Sequence, residues 1–149
     1  MSLRNMRSIR NSVLLAMALM VAACGSDEPA APAGIFFPTV PIGQDYPAAL
    51  MEGVLEERAG CLFVAAPHDH WLLLWPEGYT ARAAEGRLEV LDENGEVVGR
   101  VGEPLLVGGG EANPIEVGGT AEAERWASEL TGLDIPERCG DLYWIVSPG

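Results

Sequence analysis

From Leu50 to Val146 the large apolar residues fall into short runs, broken about every 8 to 12 residues by Gly, Pro or Asn. That is the spacing of strands in a sandwich or small barrel. The runs predict strands at Leu50 to Glu57, Leu62 to Ala66, Trp71 to Trp75, Arg87 to Asp92, Val97 to Val101, Pro104 to Val107 and Leu142 to Val146. One stretch keeps a helical period instead. Trp126 and Leu130 stand four apart with Ala123 and Ala127 beside them, Thr120 suits the start, and Gly132 suits the end. The pattern therefore predicts a mainly β, small single-domain barrel or sandwich with one α-helix closing one end. The oligonucleotide/oligosaccharide-binding (OB) barrel is one architecture of this kind.

Two segments are more specific. Trp71-Leu72-Leu73-Leu74-Trp75 has no polar face, so it is expected as a central strand covered on both sides, its tryptophans packing in the core. Pro76 and Gly78 then fit positions two and four of a type I turn. Asn94-Gly95 marks a hairpin, and two registers are open. A two-residue type I′ turn sets Glu89 opposite Arg100 and Leu88 opposite Val101; a three-residue turn with Gly95 as bulge sets Val90 opposite Val98. The opposite charges favour the first.

Ahead of the domain the pattern changes twice. Arg4, Arg7 and Arg10 precede an apolar run from Val13 to Ala23, which ends in Val21-Ala22-Ala23-Cys24. A basic flank, a short apolar stretch and small residues make an export signal, too short to span a bilayer as a helix of about 20 residues. The four-residue ending resembles the lipobox of bacterial lipoproteins. The resemblance implies a signal peptide over 1–23, lipid on the Cys24 sulfur and cleavage just before it. Localisation would then be extracytoplasmic, at the cell membrane or the outer membrane. Residues 24–46 are rich in Pro, Ala and Gly and are expected as a flexible tether, with the β-rich domain over 47–149. Ile35-Phe36-Phe37 stands out in that tether and is read as packing on the domain, with the lipid surface as the other choice.

Charge narrows the partners. Without residues 1–23 the chain keeps six arginines and no lysine against 22 Asp and Glu, a formal charge of −16. Such a surface opposes nucleic acid and anionic lipid headgroups, so the membrane contact has to come from lipid on Cys24. An envelope protein, peptide or glycan remains as partner. With Cys24 assigned to lipid, Cys61 and Cys139 form an even pair, expected as a disulfide in an exported protein.

Chemistry-bearing residues are sparse. Ser26, Ser128 and Ser147 are the serines beyond the signal, none in a strand-to-helix elbow, and lysine chemistry is excluded. No catalytic residue or cofactor is assigned. His68-Asp69-His70 is the one local cluster with ligand chemistry; it reads either as an exposed turn after Pro67 or as part of a zinc or copper site. Asp92-Glu93-Asn94-Gly95 has the opening of a calcium loop without its downstream glutamate and is read as the hairpin turn. Gly108-Gly109-Gly110 lacks the ending of a phosphate loop and is read as a flexible connection. From Trp75 to Glu111, Trp75-Pro76-Glu77-Gly78, Val90-Leu91-Asp92 and Gly108-Gly109-Gly110-Glu111 resemble segments of uncharacterised bacterial envelope proteins, which implies no activity. The expectation is a non-catalytic binding or structural lipoprotein; the alternative is an extracytoplasmic metal-binding module using His68 and His70.

Overall fold

The computed structural model describes residues 31–43, 48–112 and 120–149. The signal, Cys24 and Thr120's side chain, the expected helix cap, lie outside the described residues. In chain order the elements are β1 (Thr39–Val40), β2 (Ala49–Arg58), β3 (Cys61–Ala65), β4 (His70–Pro76), β5 (Thr80–Ala84), β6 (Arg87–Leu91), β7 (Val97–Arg100), β8 (Pro104–Glu111), α1 (Thr120–Thr131), a 3-10 turn (Glu137–Cys139) and β9 (Tyr143–Val146).

Five of these strands close a barrel. β2, β3 and β4 follow one another as antiparallel neighbours, and β8 returns to lie beside β2. That is the Greek-key order. β9 then fills the gap, antiparallel to β8 and parallel to β4, with Leu73 opposite Trp144. A five-stranded Greek-key barrel is the architecture of OB proteins. The three-stranded sheet β5-β6-β7 is inserted between β4 and β8, and α1 follows β8.

Strand alternation divides the core in two. Met51, Leu55, Leu62, Val64, Leu73, Trp75, Leu105, Val107, Trp144 and Val146 point into the barrel. Their neighbours Phe63, Leu72, Leu74, Tyr143 and Ile145 point outward and meet Ala123 and Ala127 of α1, with Trp126 and Leu130 at the margin. Thus β4 is apolar throughout because it has barrel interior on one side and helix on the other. Both tryptophans of β4 belong to the interior cluster, where Trp75 is fully buried and stacks on Phe37 and Tyr79.

Turn chemistry sets the registers. Ala59-Gly60 and Glu85-Gly86 both hold positive φ and join their strands by two-residue hairpins, Arg58 facing Cys61 and Ala84 facing Arg87. The turn after β4 is displaced by one residue from the expected one. Tyr79 N–H donates to the Pro76 carbonyl and Gly78 has φ +91°, so Gly78 takes the third position of a type II turn.

The Asn94-Gly95 hairpin uses both expected registers. Glu89 faces Arg100 and Val101 N–H donates to the Leu88 carbonyl, as a two-residue turn requires. Nearer the tip Leu91 faces Val97, the register of a three-residue turn, and Gly95 holds φ +80°. A bulge reconciles them by leaving Val98 without a partner on β6.

Three expectations need correction. Gly108-Gly109-Gly110 is not a flexible connection; it is the second half of β8, pairing with β2 and β9. Glycine is required there because a methyl group at Gly109 would collide with the Ile145 carbonyl and come within 2.8 Å of Trp144 Nε1. Within the segment expected as tether, residues 35–40 belong to the folded domain, the packing of Ile35-Phe36-Phe37 being as expected and the strand at Thr39–Val40 not. Ile35, Phe36 and Phe37 pack on the two cores, Val40 is buried, and β1 runs parallel to the end of β4. Finally, Thr80–Ala84 forms a strand that its alanine-rich sequence does not announce.

Candidate interaction surface

Cys61 and Cys139 form a disulfide, with Cα atoms 5.6 Å apart. Cys61 opens β3 and Cys139 ends the 3-10 turn, so the bond holds the segment after α1 onto the barrel wall. The place is a junction. Phe36 N–H donates to the Gly60 carbonyl beside Cys61, and Arg138 Nε donates to the Ala59 carbonyl. The N-terminal segment therefore leaves the domain next to its covalent staple.

The histidines do not converge. His70 is the first residue of β4, and its Nε2 lies 3.6 Å from Glu56 Oε2, a carboxylate that also pairs with Arg58 at 2.8 Å. His68 and Asp69 are exposed in the turn closed by Ala66 N–H on the Asp69 carbonyl. Among the described residues no three His, Cys, Asp or Glu side chains gather as a metal cluster. The Asp92 carboxylate serves its own hairpin by accepting the Glu96 and Asn94 N–H groups. Those bonds, the one from Glu96 first, hold its pKa below the usual value.

The most developed polar cluster lies on the outer face of β5-β6-β7. Arg82, Glu89 and Arg100 stand in one row across the three strands. Glu89 is 8% exposed and accepts from Arg100 Nε at 2.7 Å and from Arg82 Nη2 at 2.9 Å. Arg100 first and Arg82 second lower its pKa. Arg87 reaches Glu103 at 2.8 Å alongside. The sequence points to the Glu89–Arg100 half of this row. Arg82 is missed because β5 is missed.

Barrels of the OB kind bind ligands on the outer face of their second and third strands, which here are β3 and β4. That face is occupied. Phe63, Leu72 and Leu74 are buried beneath α1 and its surroundings, so no open platform exists there. The opposite wall has exposed apolar positions. Outward positions of β2 and β8 leave Leu50 74% exposed, Leu106 63% and Val54 36%. These residues carry no signal in the sequence, because β2 shows apolar pairs at Leu50-Met51 and Val54-Leu55 without stating which member faces out.

Among the described residues no helix is long and apolar enough to cross a membrane. No family model, curated protein or solved structure matches this chain.

Proposed function

We propose that this chain is an extracytoplasmic lipoprotein, held at a bacterial cell membrane or outer membrane by lipid on Cys24, whose acidic barrel has a non-catalytic binding role in the envelope. The observation that carries the reading is the pairing of cysteines. Two of the three are joined as Cys61–Cys139, and the third stands at the end of the lipobox-like Val21-Ala22-Ala23-Cys24. A buried disulfide suits an oxidising compartment, which is where a lipidated cysteine would deliver the domain.

The point of attachment adds a length. Ile35 already packs on the barrel, so the chain from Cys24 to the domain is about 11 residues and spans at most about 40 Å even when fully extended. The domain then works close to the bilayer. The formal charge of −16 on residues 24–149 keeps the chain off anionic headgroups and away from nucleic acid, which leaves a protein, peptide or glycan partner.

The test is the mass of the N-terminal peptide together with membrane fractionation of wild type and Cys24→Ser. The reading expects a peptide beginning at an acylated Cys24, and release or accumulation of unprocessed chain in the variant. A retained Met1, or an unmodified Cys24 in the membrane fraction, would overturn it.

A further inference from the structure

The β2–β8 wall carries the two most exposed large apolar side chains among the described residues, Leu50 and Leu106. Solvent-facing positions of an antiparallel sheet are normally polar, yet Leu50, Val54 and Leu106 all face out. The register gathers them into one patch. Leu106 stands opposite Glu52 and diagonal to both Leu50 and Val54, at about 7 Å. Gly108 lies opposite Leu50, and the Ser147 hydroxyl takes the space its side chain would fill. Glu52 rises from the centre and makes no ion pair among the described residues, whereas Glu56, Glu89 and Glu103 nearby or across the barrel each hold an arginine.

Charge and topology select the occupant. A second copy of the chain would bring another domain of the same strongly negative charge onto the patch, and a two-fold contact would press Glu52 against its own equivalent. An anionic bilayer meets the same repulsion. Addition of a strand would use the main-chain half-edges left where β2 pairs β3 only over Val54–Arg58 and β8 pairs β9 only over Gly109–Glu111, and would not cover the outward side chains of this face. A glycan would find no aromatic ring on these outward positions. What fits is apolar side chains against the leucines and a Lys or Arg against Glu52.

We propose that the outer face of β2 and β8, with Leu50, Val54 and Leu106 around Glu52, docks a cationic amphipathic segment of another envelope protein. This rests on the reading of the barrel as a binding module and not on lipid at Cys24. The patch supplies contact, and the central carboxylate supplies orientation and choice of charge.

The experiment uses the full chain in intact cells. A benzophenone photocrosslinking side chain is placed at the position of Leu106, and in a control at that of Glu129, which is exposed on α1. Adducts are sequenced by mass spectrometry. The proposal expects a protein adduct at 106 and not at 129, the crosslinked segment carrying both large apolar residues and Lys or Arg. Adding Glu52→Lys should lower its yield by about tenfold, while the same reversal at the hairpin tip, Glu93→Lys, should leave it within about twofold. An adduct with lipid, an adduct with a second copy, a partner segment lacking basic residues, equal loss in both reversal variants, or no protein adduct at all would each overturn it. The N-terminal mass is read from the same cells, so failure of the anchor and failure of this face give different results.

Discussion

Removing the disulfide should be the largest single loss of stability available outside the barrel interior. Cys61 and Cys139 are 78 residues apart, and the closed loop contains β4 through α1. In the chain-entropy treatment a loop of that length restrains the unfolded chain by about 4.5 kcal/mol at 25 °C. Domains of this size have about 5–15 kcal/mol in all, so the bond accounts for a large share. The clean perturbation is Cys61→Ala/Cys139→Ala, because a single replacement leaves a thiol in an apolar core in which both sulfurs are fully buried. Equilibrium unfolding in guanidinium chloride measures it. With a slope of about 3 kcal/mol/M, the midpoint should fall by about 1.5 M. The slope itself should rise, because an uncrosslinked chain exposes more surface. A loss under about 1.5 kcal/mol at unchanged slope would refute the reasoning, since it would mean that the cross-link hardly restricts the unfolded ensemble.

Gly53→Ala should destabilise by about 1–3 kcal/mol in the same assay, because the added methyl would sit 2.7 Å from Val64 Cγ2 and collide with the Ala65 carbonyl, forcing β2 off β3. Leu73→Ala, which empties part of the barrel interior, should cost about 2–5 kcal/mol, while Leu106→Ser on the β2–β8 wall should stay within about 0.5 kcal/mol. Equal losses at the two leucines would contradict the assignment of faces. The acid limb should depend on Glu89. Its folded pKa lies below the ordinary 4.5, so its contribution is present above that value and disappears as pH falls through the folded pKa; Glu89→Gln should flatten the melting temperature between pH 5 and 3. Tyr143 acts at the other end. Burial first, then the Glu124 and Asp141 charges, raise its pKa to about 12, so stability present below pH 10 is lost as pH rises through 12, and Tyr143→Phe should blunt that alkaline loss.

Most of the strands were legible because their turns were. Asn94-Gly95 and the apolar run at Trp71–Trp75 each state a local rule, and the observed hairpin and doubly covered strand follow it. The helix was legible for the same reason, its buried Ala123 and Ala127 being one turn apart. What escaped was set by distant contacts. Thr80–Ala84 is a strand because β6 pairs with it, not because Ala-Arg-Ala-Ala prefers to be extended. Thr39–Val40 escaped likewise, among prolines that read as linker, because its partner is the far end of β4. The glycines of β8 misled in the other direction. Their lack of side chains marked flexibility in the sequence, whereas in the barrel it permits the close approach of Ile145 and Trp144.

The comparison of β2 with β4 carries the point further. Both contain adjacent apolar residues that fill both faces of a strand, Leu50-Met51 and Val54-Leu55 in one, Leu72-Leu73-Leu74 in the other. By alternation alone each asks for cover on two sides. Inside the barrel both are satisfied. Outside it the domain has a single helix, and the Cys61–Cys139 bond, β1 and the 3-10 turn all draw cover to the β3–β4–β9 wall. One of two similarly patterned strands is therefore left with leucine in water, and the choice is made by a helix some seventy residues away in sequence. Exposed leucine contributes nothing to folding, and polar residues at Leu50 and Leu106 would disturb no described contact of the core. Leu50, Val54 and Leu106 are thus large apolar side chains that the described core does not use, which is the physical ground for proposing a docking face there.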